Sequence, residues 1–297
     1  MTQAAYLGST AFSNIAVGST TVSAVYVGST KIWEAGSSWT NPDIANASYD
    51  SVSFLISQES YPTELTFNDD GSKMYVLGLF SRNIYQYSLS TEFDVSTASY
   101  DSVSFSVASQ LSLSGGFVFN NNGTKLYATG EGGDAVFQYS LSTAYDISTA
   151  SYDSVTLSVS SQEGGATAIE FSTDGTKMYI IGWQNDTVFQ YTLTSAFDLS
   201  TASYASKSFS VATQESTPMG LRFNPDGTKM YVVGTSQDKV FQYTLSTAFD
   251  VSTASYDSVS FSVATQEAVP YAMAFKNDGS KLYVVGDGNN TVHQYST

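Results

Sequence analysis

The chain has 297 residues, of which 42% are hydrophobic but only 13% charged, and 27 acidic side chains against 11 basic ones give a net charge of −16. Such a chain repels phosphate backbones and anionic lipid, which argues against nucleic acid and membrane surfaces as partners. It has no cysteine and one histidine, His293, so disulfide frameworks, thiolate or His-rich metal sites and Ser-His-Asp triads lack their material, and neither a cofactor, a metal nor a catalytic residue is expected.

The first residues, MTQAAYLGST, lack the charged and apolar regions of a signal peptide, and no apolar run approaches the length of a membrane span. The expectation is a protein that stays inside the cell that makes it or leaves by a route that needs no signal. A short repeat follows, YLGST, AVGST and YVGST, with glycines at Gly8, Gly18 and Gly28. Short β-type runs between these triplets predict a small β-meander over residues 1–35. So small a unit buries too little surface to stand alone, so it should pack on partners or on copies of itself. Residues 36–42 read as a linker.

Residues 43–297 carry a longer repeat. The phrase FNPDGTKMYVVG has four near-copies, and their glycines, Gly71, Gly123, Gly175, Gly227 and Gly279, are each 52 residues apart. A fixed period of this size signals a propeller or a solenoid. Each unit reads as four strands, a to d: LRFN, a PDG turn, KMYVVG, a variable loop, VFQYTLS, a connector of the type TAFDVSTASYD, and SVSFSVATQ. Asp-Gly or Asn-Gly between β-rich runs is a hairpin signal. Strand d first occurs at Ser48 to Phe54, before any strand a, whereas the last unit ends after strand c. Pairing of residues 51–57 with the final strand c around His293 closes a ring and removes two exposed edges. The prediction is all-β, a five-bladed β-propeller closed by an N-terminal strand, with an open solenoid as the alternative.

The repeated words have structural readings. Gln86, Gln138, Gln190, Gln242 and Gln294 fit buried amides bonded to a neighbouring blade better than a ligand ring. Asp94, Asp146, Asp198 and Asp250, with Asp43 opening a degenerate fifth connector, fit Asx turns better than metal ligands. His293 stands where other copies have Tyr85, Phe137, Phe189 and Phe241, and reads as a packed aromatic substitute. Glu170 and Arg222 occupy equivalent strand-a positions in adjacent blades and would pair if those positions line the axis.

The copies differ in the b–c loops (LFSRN, EGGDA, WQNDT, TSQDK, DGNNT) and in the d–a segments. In an antiparallel blade these two sets share one face of the disk, and the constant a–b and c–d turns share the other. The variable face is therefore the candidate binding surface, with Tyr61, Phe80, Arg82, Trp183, Asn185, Asp186, Asp238, Tyr271 and Asn289 as its candidate residues. Aromatic planes beside amides and carboxylates suit a glycan or a protein partner. No carboxylate pair is singled out for glycoside hydrolysis, and the chain is not expected to be an enzyme.

The phrase FxxDGxKxYVxG…VxQY, over residues 43–297, resembles the YVTN and WD-like propeller repeats of bacterial and viral proteins. YLGST…VYVGSTKIWE resembles N-terminal modules of tailed-phage structural proteins from tails, necks and fibres. That second resemblance implies a virion protein, oligomeric on the particle, whose residues 1–35 dock onto other virion proteins while the propeller meets a host-surface glycan or protein. The alternatives are a purely architectural or capsid-decorating virion protein, a bacterial cell-associated propeller, and a polysaccharide-degrading enzyme.

Overall fold

Five antiparallel four-stranded sheets follow one another around a closed ring in a computed structural model. The structure describes residues 39–42, 44–130 and 133–297, together with the backbone of four short strands before them. Blade one comprises strands a to d at Pro62–Phe67, Lys73–Gly78, Asn83–Leu89 and Ala98–Ser106. Blades two to four repeat this plan. Blade five takes strands a to c from Pro270–Phe275, Lys281–Gly286 and Thr291–Ser296, and its outer strand d from Ser48–Leu55 at the other end of the chain. Its register pairs His293 with Ser53 and Tyr295 with Tyr49, so the ring closes as predicted, but through Ser48–Leu55 rather than residues 51–57.

Two antiparallel hairpins stand in the N-terminal module, Ala16–Val17 with Thr20–Thr21 and Ala24–Val27 with Thr30–Glu34. The rest of the predicted meander, and Asp43, lie outside the described residues. Residues 39–42, read from sequence as the end of a linker, pack on blade five. Thr40 donates its backbone N–H to Asp278 O at 3.0 Å, and the Trp39 ring meets Phe275 edge-on at 5.8 Å.

The core is divided among the blade junctions. Along strand b side chains alternate, so Met74 and Val76 face blade five while Tyr75 and Leu77 face blade two. Each junction thereby gains its own apolar cluster, and Ile44 and Ile56 complete those on either side of blade five. Burying one such side chain stabilises by about 1.5–3 kcal/mol.

Polar links reinforce the junctions. Gln138 donates to Asp153 Oδ2 at 2.9 Å, and its carbonyl accepts Leu199 N of the next blade at 3.0 Å. Gln190 accepts Val251 N in the same manner at 3.1 Å. A β-bulge in strand d, with Ser154 at φ 60°, turns Asp153 toward Gln138. Asp94, Asp146, Asp198 and Asp250 each cap a short 3-10 turn, accepting the backbone N–H two residues on. Tyr179 donates to Phe249 O at 2.7 Å across a junction.

The Asp-Gly turns are fixed twice over. Gly227 has φ +71°, and a Cβ there would come within 2.3 Å of the Phe249 ring in the c–d connector. Both constraints exclude a side chain. Gly227→Ala is therefore expected to destabilise by about 1–3 kcal/mol, read as a lower urea midpoint with an unchanged m-value. Phe249 N donates to Gly227 O at 2.9 Å, which puts the a–b turn and the c–d connector on one face, as predicted.

Candidate binding face and axial cavity

On the opposite face the b–c and d–a loops are tied together by glutamates that the sequence reading passed over. Glu59, Glu163, Glu215 and Glu267 are buried at the start of their d–a segments. Glu163 accepts Gly165 N at 2.9 Å and, from the b–c loop, Gln184 N and Asn185 N, each at 3.3 Å. Burial raises the Glu163 carboxyl above its ordinary range, and these N–H groups oppose the rise. A sequence signal existed, since four of five copies place Glu directly after Gln; the second copy has Leu111.

The b–c loops close with one residue in the left-handed region, namely Arg82, Asp134, Asp186, Asp238 and Asn290, at φ between 43° and 55°. Asp and Asn tolerate that conformation best among residues with side chains, which accounts for their frequency there. The Asn185 amide donates to Gln162 O at 2.7 Å and the Asn289 amide to Gln266 O at 2.6 Å. The predicted residues Arg82, Asn185, Asp186, Asp238 and Asn289 thus shape the loops. His293 is buried, edge-on to Tyr49 at 5.8 Å, and burial holds its pKa below the usual value.

The aromatics behave differently. Among the described residues the large apolar side chains left exposed are Leu55 at 60%, Tyr61 at 37%, Phe80 at 56% and Trp183 at 42%. All four belong to this face: Tyr61 and Phe80 meet edge-on at 4.9 Å, Leu55 pairs with Thr291 beside a b–c loop, and Trp183 lies over Gly165. Tyr61 and Phe80 are brought together in blade one, Trp183 stands in blade three, and Tyr271 turns toward the axis beside Thr63, Thr167 and Met219.

A cavity opens on the other face, where the sequence placed no site. It encloses about 440 Å³ along the axis. Phe67, Phe171, Phe223 and Phe275 line its walls, and Asp69, Asn121, Thr173 and Asn277 of the a–b turns form its rim. Arg222 and Glu170 form the floor, 3.4 Å apart, so the expected pair across the axis is present. Arg222 Nη2 also binds Glu64 Oε1 at 2.6 Å, a partner the sequence did not single out. Burial pushes Glu64 up to about 7 against the opposing charge of Arg222, and raises Glu170 as well.

Closed sheets around a plugged axis define this molecule as a β-propeller. The chain belongs to the family described as "Lactonase, 7-bladed beta-propeller", whose model matches residues 81–297; the present ring has five blades. Among solved structures it is similar to a putative 6-phosphogluconolactonase from Bacteroides uniformis, with 13% identity, a TM-score of 0.50, and coverage of 79% of this chain and 66% of the other. It is likewise similar to a chain of the mitotic checkpoint complex, with 12% identity, a TM-score of 0.50, and coverage of 80% and 74%. A functionally unknown protein from Desulfotomaculum acetoxidans matches at 14% identity with a TM-score of 0.48, over 76% of this chain and 62% of the other. The chain thus spans 62% and 66% of the first two of these bacterial proteins. At such identities the likeness is one of fold. No curated protein matches the sequence.

Proposed function

We propose that this propeller is a display domain without catalytic activity, carried by a tailed-phage virion, which presents its variable face to a glycan or protein of the host surface. The observation that carries the reading is the opposition of two faces. The chain enters the ring at Trp39 and Thr40 on the constant face, tied to Asp278, whereas the exposed Leu55, Tyr61, Phe80 and Trp183 lie on the other. An attachment through residues 1–35 to other virion proteins therefore leaves the aromatic face pointing away. Aromatic side chains with polar neighbours suit such recognition. Several copies on one particle would raise avidity by about 10²–10⁴.

Lactone hydrolysis, suggested by the family description and one neighbour's name, is favoured less. Arg222 donates to Leu221 O, Leu65 O and Glu64 and is ion-paired with Glu170, so its guanidinium is already held by protein acceptors rather than poised on a substrate carbonyl.

The test uses the full chain, multimerised on beads, against cell envelopes of a panel of bacteria. Replacing Tyr61 and Phe80 by Ser, or Trp183 by Ser, is expected to lower retention at least tenfold while leaving the melting temperature unchanged. Absence of binding at high valency, or retention that neither change reduces, rejects recognition by this face. Mass spectrometry of phage particles from the same source tests the virion assignment separately.

A further inference from the structure

We propose that the axial cavity is a binding site for a small organic ammonium ion, seated between the Glu170 carboxylate at the floor and the phenylalanine walls. The cavity volume of about 440 Å³ suits a small molecule. Its chemistry selects the charge. The floor is the ion pair of Glu170 and Arg222, and Glu64, buried behind Arg222, makes two carboxylates against one guanidinium, a formal excess of one negative charge.

The donors at the floor are largely engaged. Arg222 Nη1 donates to Leu221 O at 2.8 Å and faces Glu170 at 3.4 Å, while Nη2 serves Glu64 at 2.6 Å and Leu65 O at 3.0 Å. An anionic ligand would meet two carboxylates and would compete with Glu170 for Arg222 Nη1. Acceptors remain. Glu170 Oε1 accepts Phe171 N at 3.1 Å and Oε2 has only the long contact to Arg222, and a carboxylate has about four acceptor positions. An ammonium N–H arriving from the mouth completes that set and neutralises the excess charge.

The walls agree with the floor. Phe67, Phe171, Phe223 and Phe275, with Trp39 beside Phe275, surround the space above Glu170. Aromatic faces attract a cation within about 6 Å of the ring centre. The exposed Asp69 at the rim adds attraction for an approaching cation. A hard metal ion would need about six or more oxygen ligands, and no group of side chains suited to a metal occurs among the described residues.

The experiment titrates the full-length chain with glucosamine and n-butylamine at neutral pH, and with glucose, n-butanol and glucose 6-phosphate as neutral and anionic counterparts. The ammonium compounds are expected to bind at least tenfold more tightly than their counterparts and to shift the Trp39 indole resonance, assigned through Trp39→Phe. Glu170→Gln should weaken them at least tenfold, and Thr192→Ala, exposed on blade three, should leave them unchanged. Should Glu170→Gln fail to fold, the ranking of charged against neutral probes in the unmodified chain decides. Equal binding of ammonium and neutral compounds, tighter binding of the phosphate, an unmoved Trp39 resonance, or no saturation by either amine at tens of millimolar overturns the proposal.

Discussion

A chain that begins at Gln58 is expected to lose its cooperative unfolding transition, whereas one that begins at Trp39 keeps it. The first truncation removes Ile44 and Ile56, both fully buried, and Tyr49, Val52 and Phe54, which pack on the core from strand d of blade five. At about 1.5–3 kcal/mol for each fully buried side chain and part of that for the others, the loss approaches the whole stability of a domain, about 5–15 kcal/mol. The cut also bares strand c from Thr291 to Ser296, whose His293, Gln294 and Tyr295 pair with the removed strand. Calorimetry of the two truncated chains tests this. Equal melting temperatures would refute closure by the N-terminal strand, and a synthetic peptide of residues 39–57 added in trans should restore the transition.

Arg222→Met is expected to destabilise the ring by about 3–5 kcal/mol at pH 8 and by much less at pH 5. It strands Glu64, which is buried, and Glu170, which is largely buried at the cavity floor. The sign of the pH dependence follows from Glu64. Its folded pKa, pushed by burial from 4.5 to about 7, exceeds the unfolded value. Between those limits the native state binds more protons than the unfolded state, so this group's contribution is complete below 4.5 and is lost as pH rises through 7. Removing the guanidinium raises both carboxylates further, so the variant suffers most in alkali. Urea unfolding at the two pH values measures the difference, and a penalty equal at both would dissolve the account. Glu64→Gln should flatten the same stretch of the wild-type profile.

Much of the fold was written in the chain because the repeat compares itself. Invariant letters, such as Gly227 and Tyr179, proved to be turn and junction residues. The missing strand d after Ser296 was enough to infer closure, because an unpaired edge is costly. The site was less legible. Variation marked the correct loops, yet it did not separate residues that shape a loop, such as Asp186 and Asn185, from those that present a surface, such as Phe80. Backbone conformation makes that distinction, and it is a property of the folded turn. The axial cavity escaped because five strands far apart in sequence build it, and its charge comes from departures at single positions. Glu64 replaces small residues at equivalent places, Gly116, Ala168, Gly220 and Ala272. The buried glutamates of the d–a segments were hidden inside letters read as variable.

The staggered closure has a consequence for how such genes change. Because one strand d stands at the front and strands a to c stand at the back, unequal recombination between two copies adds or deletes a whole 52-residue unit without altering either end. The two ends stay complementary whatever the number of units between them.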